Sequence, residues 1–184
     1  MLKRYLPICF SLLLISACSN NEVNQIQMSQ NTQIQSQSKK DIIPTTSKRL
    51  LYKVEEIANK WDMSSDLMKV EAKEIDRFGR AKWNYYYDSP FKTPNYLINL
   101  HDNKSQEINE TLWGREINLR DWLIDSDEAI EIVQKNSNLG TFDFPLESMT
   151  LEHRFFEPEW EIKTRFWTYR VNAKTGQYSR LAKK

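Results

Sequence analysis

The feature that most constrains this chain is a series of short runs, all beyond residue 65, in which aromatic and aliphatic residues alternate with polar ones. They are Met68-x-Val70-x-Ala72, Lys82 to Tyr87, Tyr96 to Leu100, Met149-x-Leu151-x-His153-x-Phe155, and Trp160 to Val171. Proline, glycine or polar residues bound them, as at Phe78-Gly79-Arg80, Pro90, Pro94 and Glu157-Pro158-Glu159. Period two sets one face of a strand against a core and the other toward water, and aromatic and β-branched residues favour that arrangement. A chain built from such runs has to form a sheet.

Two amphipathic helices interrupt the pattern. In the first, Thr46 or Ser47 is expected to cap, with Leu50, Leu51, Val54, Ile57, Ala58 and Trp61 on one stripe. In the second, Asp125 and Ser126 cap, Asp127 and Glu128 lie at the positive end of the helix dipole, and Ala129, Ile130 and Val133 face inward. Each helix is followed by strands. The distance from cap to tryptophan is 36 residues in the first half, ending at Trp83, and 34 in the second, ending at Trp160. Each half then closes on a polar turn, Asp102-Asn103-Lys104-Ser105 or Ala173-Lys174-Thr175-Gly176, before a last strand. The repetition predicts an α+β protein of two helix-plus-antiparallel-sheet modules in tandem, residues 47–118 and 119–184, with Trp83 and Trp160 in equivalent core positions.

The N-terminal 17 residues carry Lys3 and Arg4, an apolar stretch from Tyr5 to Ile15, and small residues before Cys18. This layout reads as a secretory signal. Ile15-Ser16-Ala17-Cys18 resembles the bacterial lipoprotein signal, which implies that the cysteine thiol takes a diacylglyceryl group and that residues 1–17 are removed. Two acyl chains suffice for stable anchoring. Residues 18–46 are rich in Gln, Asn and Ser, too polar to offset the entropy of ordering, and read as a tether with a reach of about 30 Å. The resemblance places the body outside the cytoplasm in a bacterial envelope, held on a membrane through Cys18, the outer one if the source is Gram-negative. Cys9 leaves with the signal, so a lipidated chain keeps no free thiol and forms no disulfide.

Loss of Lys3 and Arg4 leaves 24 basic residues against 25 acidic ones. That near-balance argues against nucleic acid as a partner. His101 and His153 lie in separate halves without metal-ligand spacing. No Gly-x-Ser-x-Gly elbow is present, and four glycines leave no phosphate-cradling loop. The expectation is a protein without catalytic residues, metal or cofactor.

The block Trp122-Leu123-Ile124-Asp125-Ser126-Asp127-Glu128-Ala129-Ile130, then Pro158-Glu159-Trp160-Glu161-Ile162, then Val171-Asn172-Ala173-Lys174-Thr175-Gly176-Gln177, resembles a PepSY or PepSY-like module. Asn172 stands where that family usually has aspartate. The resemblance implies a helix on a small antiparallel sheet and a role in binding and regulating or inhibiting an envelope or secreted protein such as a peptidase. A carrier of a small apolar ligand and a structural accessory subunit are the alternatives. The candidate binding surface comprises Tyr86, expected on the solvated face of its strand, with Lys163, Arg165, Trp167, Tyr169 and Arg170. Trp167 and Tyr169 lie exposed beside the basic residues if the run from Trp160 is continuous, and in the core if a bulge near Thr164-Arg165 shifts its phase.

Overall fold

The computed structural model describes residues 43–137 and 145–182. The signal segment, Cys18 and most of the tether lie outside the described residues. Helix α1 (Leu51–Trp61) is followed by strands β1 (Asp66–Ile75), β2 (Asn84–Ser89), β3 (Lys92–Asn99) and β4 (Lys104–Ile108). Helix α2 (Ser126–Asn136) is followed by β5 (Leu146–Arg154), β6 (Glu157–Lys163), β7 (Trp167–Asn172) and β8 (Tyr178–Ala182). All eight strands join one antiparallel sheet in the order β4-β3-β2-β1-β5-β6-β7-β8.

This arrangement corrects the expectation of two tandem helix-plus-sheet modules. The first strand of each half pairs with the other, Val70 opposite Leu151 and Ala72 opposite Met149, so two would-be edges become the centre of one sheet. The reason is physical: a long apolar edge strand exposes unpaired N–H and C=O groups, and pairing β1 with β5 satisfies both edges at once.

The register lays one apolar row across the sheet, Ile98, Tyr85, Val70, Leu151, Trp160 and Val171, each at most 1% exposed. Both helices cover this side, α1 over β3 and α2 over β6, β7 and β8. Trp83 and Trp160 are both fully buried and meet edge to face at 5.7 Å between ring centroids; Trp122 meets Trp160 likewise at 6.1 Å. Each indole N–H finds a backbone carbonyl: Trp83 donates to Thr45 at 2.8 Å, and Trp122 and Trp160 donate to Ile124 at 3.0 and 2.9 Å.

Several local expectations are revised. Leu50, without a side-chain cap, precedes α1, because Ser47 is used elsewhere: its hydroxyl donates to Asp125 and its N–H donates to Ser126 Oγ at 3.1 Å. Asp125 forms a capping box with Glu128 at the start of α2. The β5–β6 turn is Phe155-Phe156, with Phe155 at φ 55°, rather than Glu157 to Glu159, which lie in β6. The run from Trp160 to Val171 is two strands, because the chain reverses between Thr164 and Trp167, where Thr164 N–H donates to Trp167 O at 2.9 Å.

Gly79, in the β1–β2 connection, has φ 69° and lies so close to α2 that a Cβ would stand 2.4 Å from Asp127 N. Replacing it with alanine is expected to cost more than the 1–2 kcal/mol or so of a left-handed residue alone. Trp160→Ala should lower the unfolding free energy by about 3–5 kcal/mol in urea titrations. A loss below about 1 kcal/mol for Trp160→Ala would contradict the packing described.

Candidate functional site

The helix-free face of the sheet is charged and largely self-paired. Across its centre, Arg154 donates through Nε to Glu152 at 2.6 Å and lies 3.0 Å from Glu161, while Lys163 approaches Glu161 at 2.9 Å. Arg170 sits 3.7 Å from Glu159 and 3.6 Å from Glu161. Glu161 is pulled below the ordinary carboxylate range, because its bonds to Lys163, Arg154 and Arg170 outweigh a substantial desolvation. In the first half, the Tyr86 hydroxyl donates to Glu71, and Lys69 lies 3.9 Å above the Tyr86 ring and 2.7 Å from Glu110. Tyr86 is therefore 5% exposed rather than solvated, and burial with the neighbouring Glu71 pushes its hydroxyl well up.

The fold does not bring the six candidate surface residues together. Lys163 and Arg170 belong to the charged face, while Arg165 lies in the β6–β7 turn. Tyr169, 2% exposed, lies opposite Ile162 in the core and stacks on Tyr178. Trp167 is half-buried against that core under the guanidinium of Arg180. The reversal at Thr164 sets their phase, so these two aromatics pack.

A second surface, at the sheet end where β1 begins and β5 finishes, was not legible in the sequence. There a cleft of about 510 Å³ is lined by Asp66, Asp88, Glu116, Asp121, Arg115 and His153, together with Pro90 and Gly114. Besides β1, three separate segments deliver it. The end of β2 and the turn after it bring Asp88 and Pro90, followed by Phe91, and β5 brings His153, just ahead of the Phe155-Phe156 turn. The third is the strap from β4 to α2, in which a Cβ on Gly114 would stand 3.0 Å from His153 O, and Ile117 N–H donates to Leu67 O at 2.6 Å. Phe91, Trp113, Phe155 and Phe156 are 78–86% exposed, although large aromatics are ordinarily core residues. The available signal was their position: aromatics within or beside turns, where no strand face buries them.

The cleft floor carries an electrostatic conflict. Asp66 and Asp88 are direct cross-strand partners, and like charges so placed repel. Partial desolvation, with Glu116 and then Asp88 beside it, pushes the Asp66 carboxyl above the usual range. Asp121 differs, since it pairs with Lys174 at 2.8 Å. Among the described residues, no group of three or more His, Cys, Asp or Glu side chains is arranged to hold a metal ion, and no helix is long and apolar enough to cross a membrane.

No protein-family model matches this chain, and no curated protein matches it either. A crystal structure from Clostridium difficile 630, described as "a putative lipoprotein", aligns with a TM-score of 0.48 at 12% identity, over 78% of this chain and 98% of that one. A likeness of that order fixes neither family nor activity.

A carboxyl whose folded-state pKa is raised weakens the fold once ionised and ceases to do so as pH falls through that pKa. Asp66→Asn is therefore expected to raise the thermal midpoint at pH 7, with the difference from the parent shrinking toward zero as pH falls through the carboxylate range. A variant less stable than the parent at pH 7 would show that the Asp66 carboxylate is held by compensating bonds.

Proposed function

We propose that this chain is a lipid-anchored protein of a bacterial envelope, held on a membrane through Cys18, that acts without catalysis by binding an exported protein at the cleft where β1 begins and at the exposed aromatics of that sheet end. One observation carries the reading: three segments distant in sequence each carry an exposed aromatic within two residues of one that lines the cleft. These rings are largely uncovered among the described residues, and they match the composition of binding hot spots, which favour Trp and other large aromatics over aliphatics. The anchor rests on the lipoprotein-like signal ending at Cys18. The PepSY-like block between Trp122 and Gln177 favours a regulatory or inhibitory role toward a partner such as an exported peptidase.

Two measurements test this. Cells fed a labelled fatty acid should label the parent chain and leave Cys18→Ala unlabelled; equal labelling of both would sink the anchor. Affinity capture from envelope extract should recover a protein with the parent and lose it with Phe155→Ser/Phe156→Ser. The control Tyr52→Ser, at an exposed aromatic on α1, should retain it. Truncating two hot-spot aromatics costs at least about 2 kcal/mol, or more than about tenfold in affinity. Undiminished capture by the double variant would remove the cleft from the function.

A further inference from the structure

The two like-charged pairs in this sheet are treated differently. Glu152 and Glu159 face each other across β5 and β6, and basic side chains flank both: Arg154 bonds Glu152, and Arg170 lies 3.7 Å from Glu159. Asp66 and Asp88 face each other across β1 and β2 with no basic partner among the described residues, and Glu116 adds a third carboxylate beside Asp66. Arg115 lines the same cleft without pairing to any of the three. An antiparallel pair of aspartates costs stability that a cation from outside would offset. Trp113, Phe155 and Phe156, exposed within three residues of the lining residues Gly114 and His153, offer apolar area at the same end of the sheet.

Resting on the reading that this cleft binds protein, we propose that it receives an extended segment of the partner that places a lysine or arginine among Asp66, Asp88 and Glu116 and sets apolar neighbours against Trp113 and the Phe155-Phe156 turn. Charge complementarity selects the occupant. Anionic lipid headgroups would be repelled by the same carboxylates. The cleft also lies at the far end of β1 from the Thr45–Ala81 bridge where the chain enters the sheet, about 30 Å at the usual rise per residue. This end is the one turned away from the chain's point of entry.

The test uses the full chain in nonionic detergent and three fluorescein-labelled nonapeptides in which valine alternates with lysine, glutamate or serine. Anisotropy should show the lysine peptide binding at least about tenfold more tightly than the other two, with an affinity that falls as salt rises. Asp66→Asn/Glu116→Gln should lose about tenfold for that peptide without a lower thermal midpoint, and Trp113→Ser should weaken it as well. The proposal is overturned if the lysine peptide fails to bind at about 1 mM, if the glutamate peptide binds equally, or if the carboxyl variant binds as the parent does. Quenching by brominated lipid in reconstituted vesicles, abolished by Trp113→Phe, would instead assign these aromatics to the membrane and also overturn it. The envelope capture separates the two levels of inference. Capture lost with Phe155→Ser/Phe156→Ser but kept with Asp66→Asn/Glu116→Gln leaves protein binding standing and removes the basic segment. Capture kept in both removes both.

Discussion

The pairing of β1 with β5 is the interaction on which the rest of the structure depends. It joins the four strands that follow α1 to the four that follow α2, places Val70 and Leu151 at the dry centre of the sheet, and leaves only β4 and β8 as edges. It also brings Trp83 and Trp160, from different halves, into edge-to-face contact, with Trp122 against the second. Aromatic pairs in this geometry add about 0.5–1.5 kcal/mol beyond their buried area. The join is thus reinforced on the helix side by rings, and on the opposite side the opposite charges of Lys69 and Glu152 face each other across it.

A polar junction at the start of α2 fixes the segment preceding α1 against the second half. Asp125 accepts from the Ser47 hydroxyl, from Lys48 N–H at 3.2 Å and from Ser126 N–H at 2.7 Å. Ser126 Oγ donates to Gly79 O at 2.8 Å, and the Tyr85 hydroxyl donates to Ser47 O. Buried polar groups are costly when unpaired, so a site in which one carboxylate and three hydroxyls are satisfied across long sequence separations specifies one arrangement of the elements. Gly79 belongs to this junction because any side chain there would strike the α2 backbone.

The two surfaces left uncovered by helices differ in how far they satisfy themselves. On the broad face, carboxylates and cations alternate and neutralise one another, which suits solvent. At the sheet end where β1 begins, like charges meet in register in the cleft, and the aromatic rings of nearby turns stand in water. Both costs fall at the same end of the sheet, and they are the physical basis of the proposed binding role.

What the sequence by itself determined was local: that alternating runs form strands, that Asp125 and Ser126 start a helix, and that Trp83 and Trp160 are buried. Each follows from a rule spanning a few residues, either periodicity, capping or the burial of a large ring. The tertiary structure alone decided which strands are neighbours. Period two assigns a residue to a face but names no partner, so the fusion through β1 and β5 could not be read from spacing. Nor could the pairing of Asp66 with Asp88, since register depends on hydrogen bonds between segments more than 20 residues apart. Trp167 and Tyr169 show the same limit: their run reads as one strand, continuous or bulged, whereas the reversal between Thr164 and Trp167 makes two and places both aromatics on the helix side. The cleft was least legible of all, because its residues come from the ends of β1, β2 and β5, one turn and a strap that only the closed sheet brings to one end.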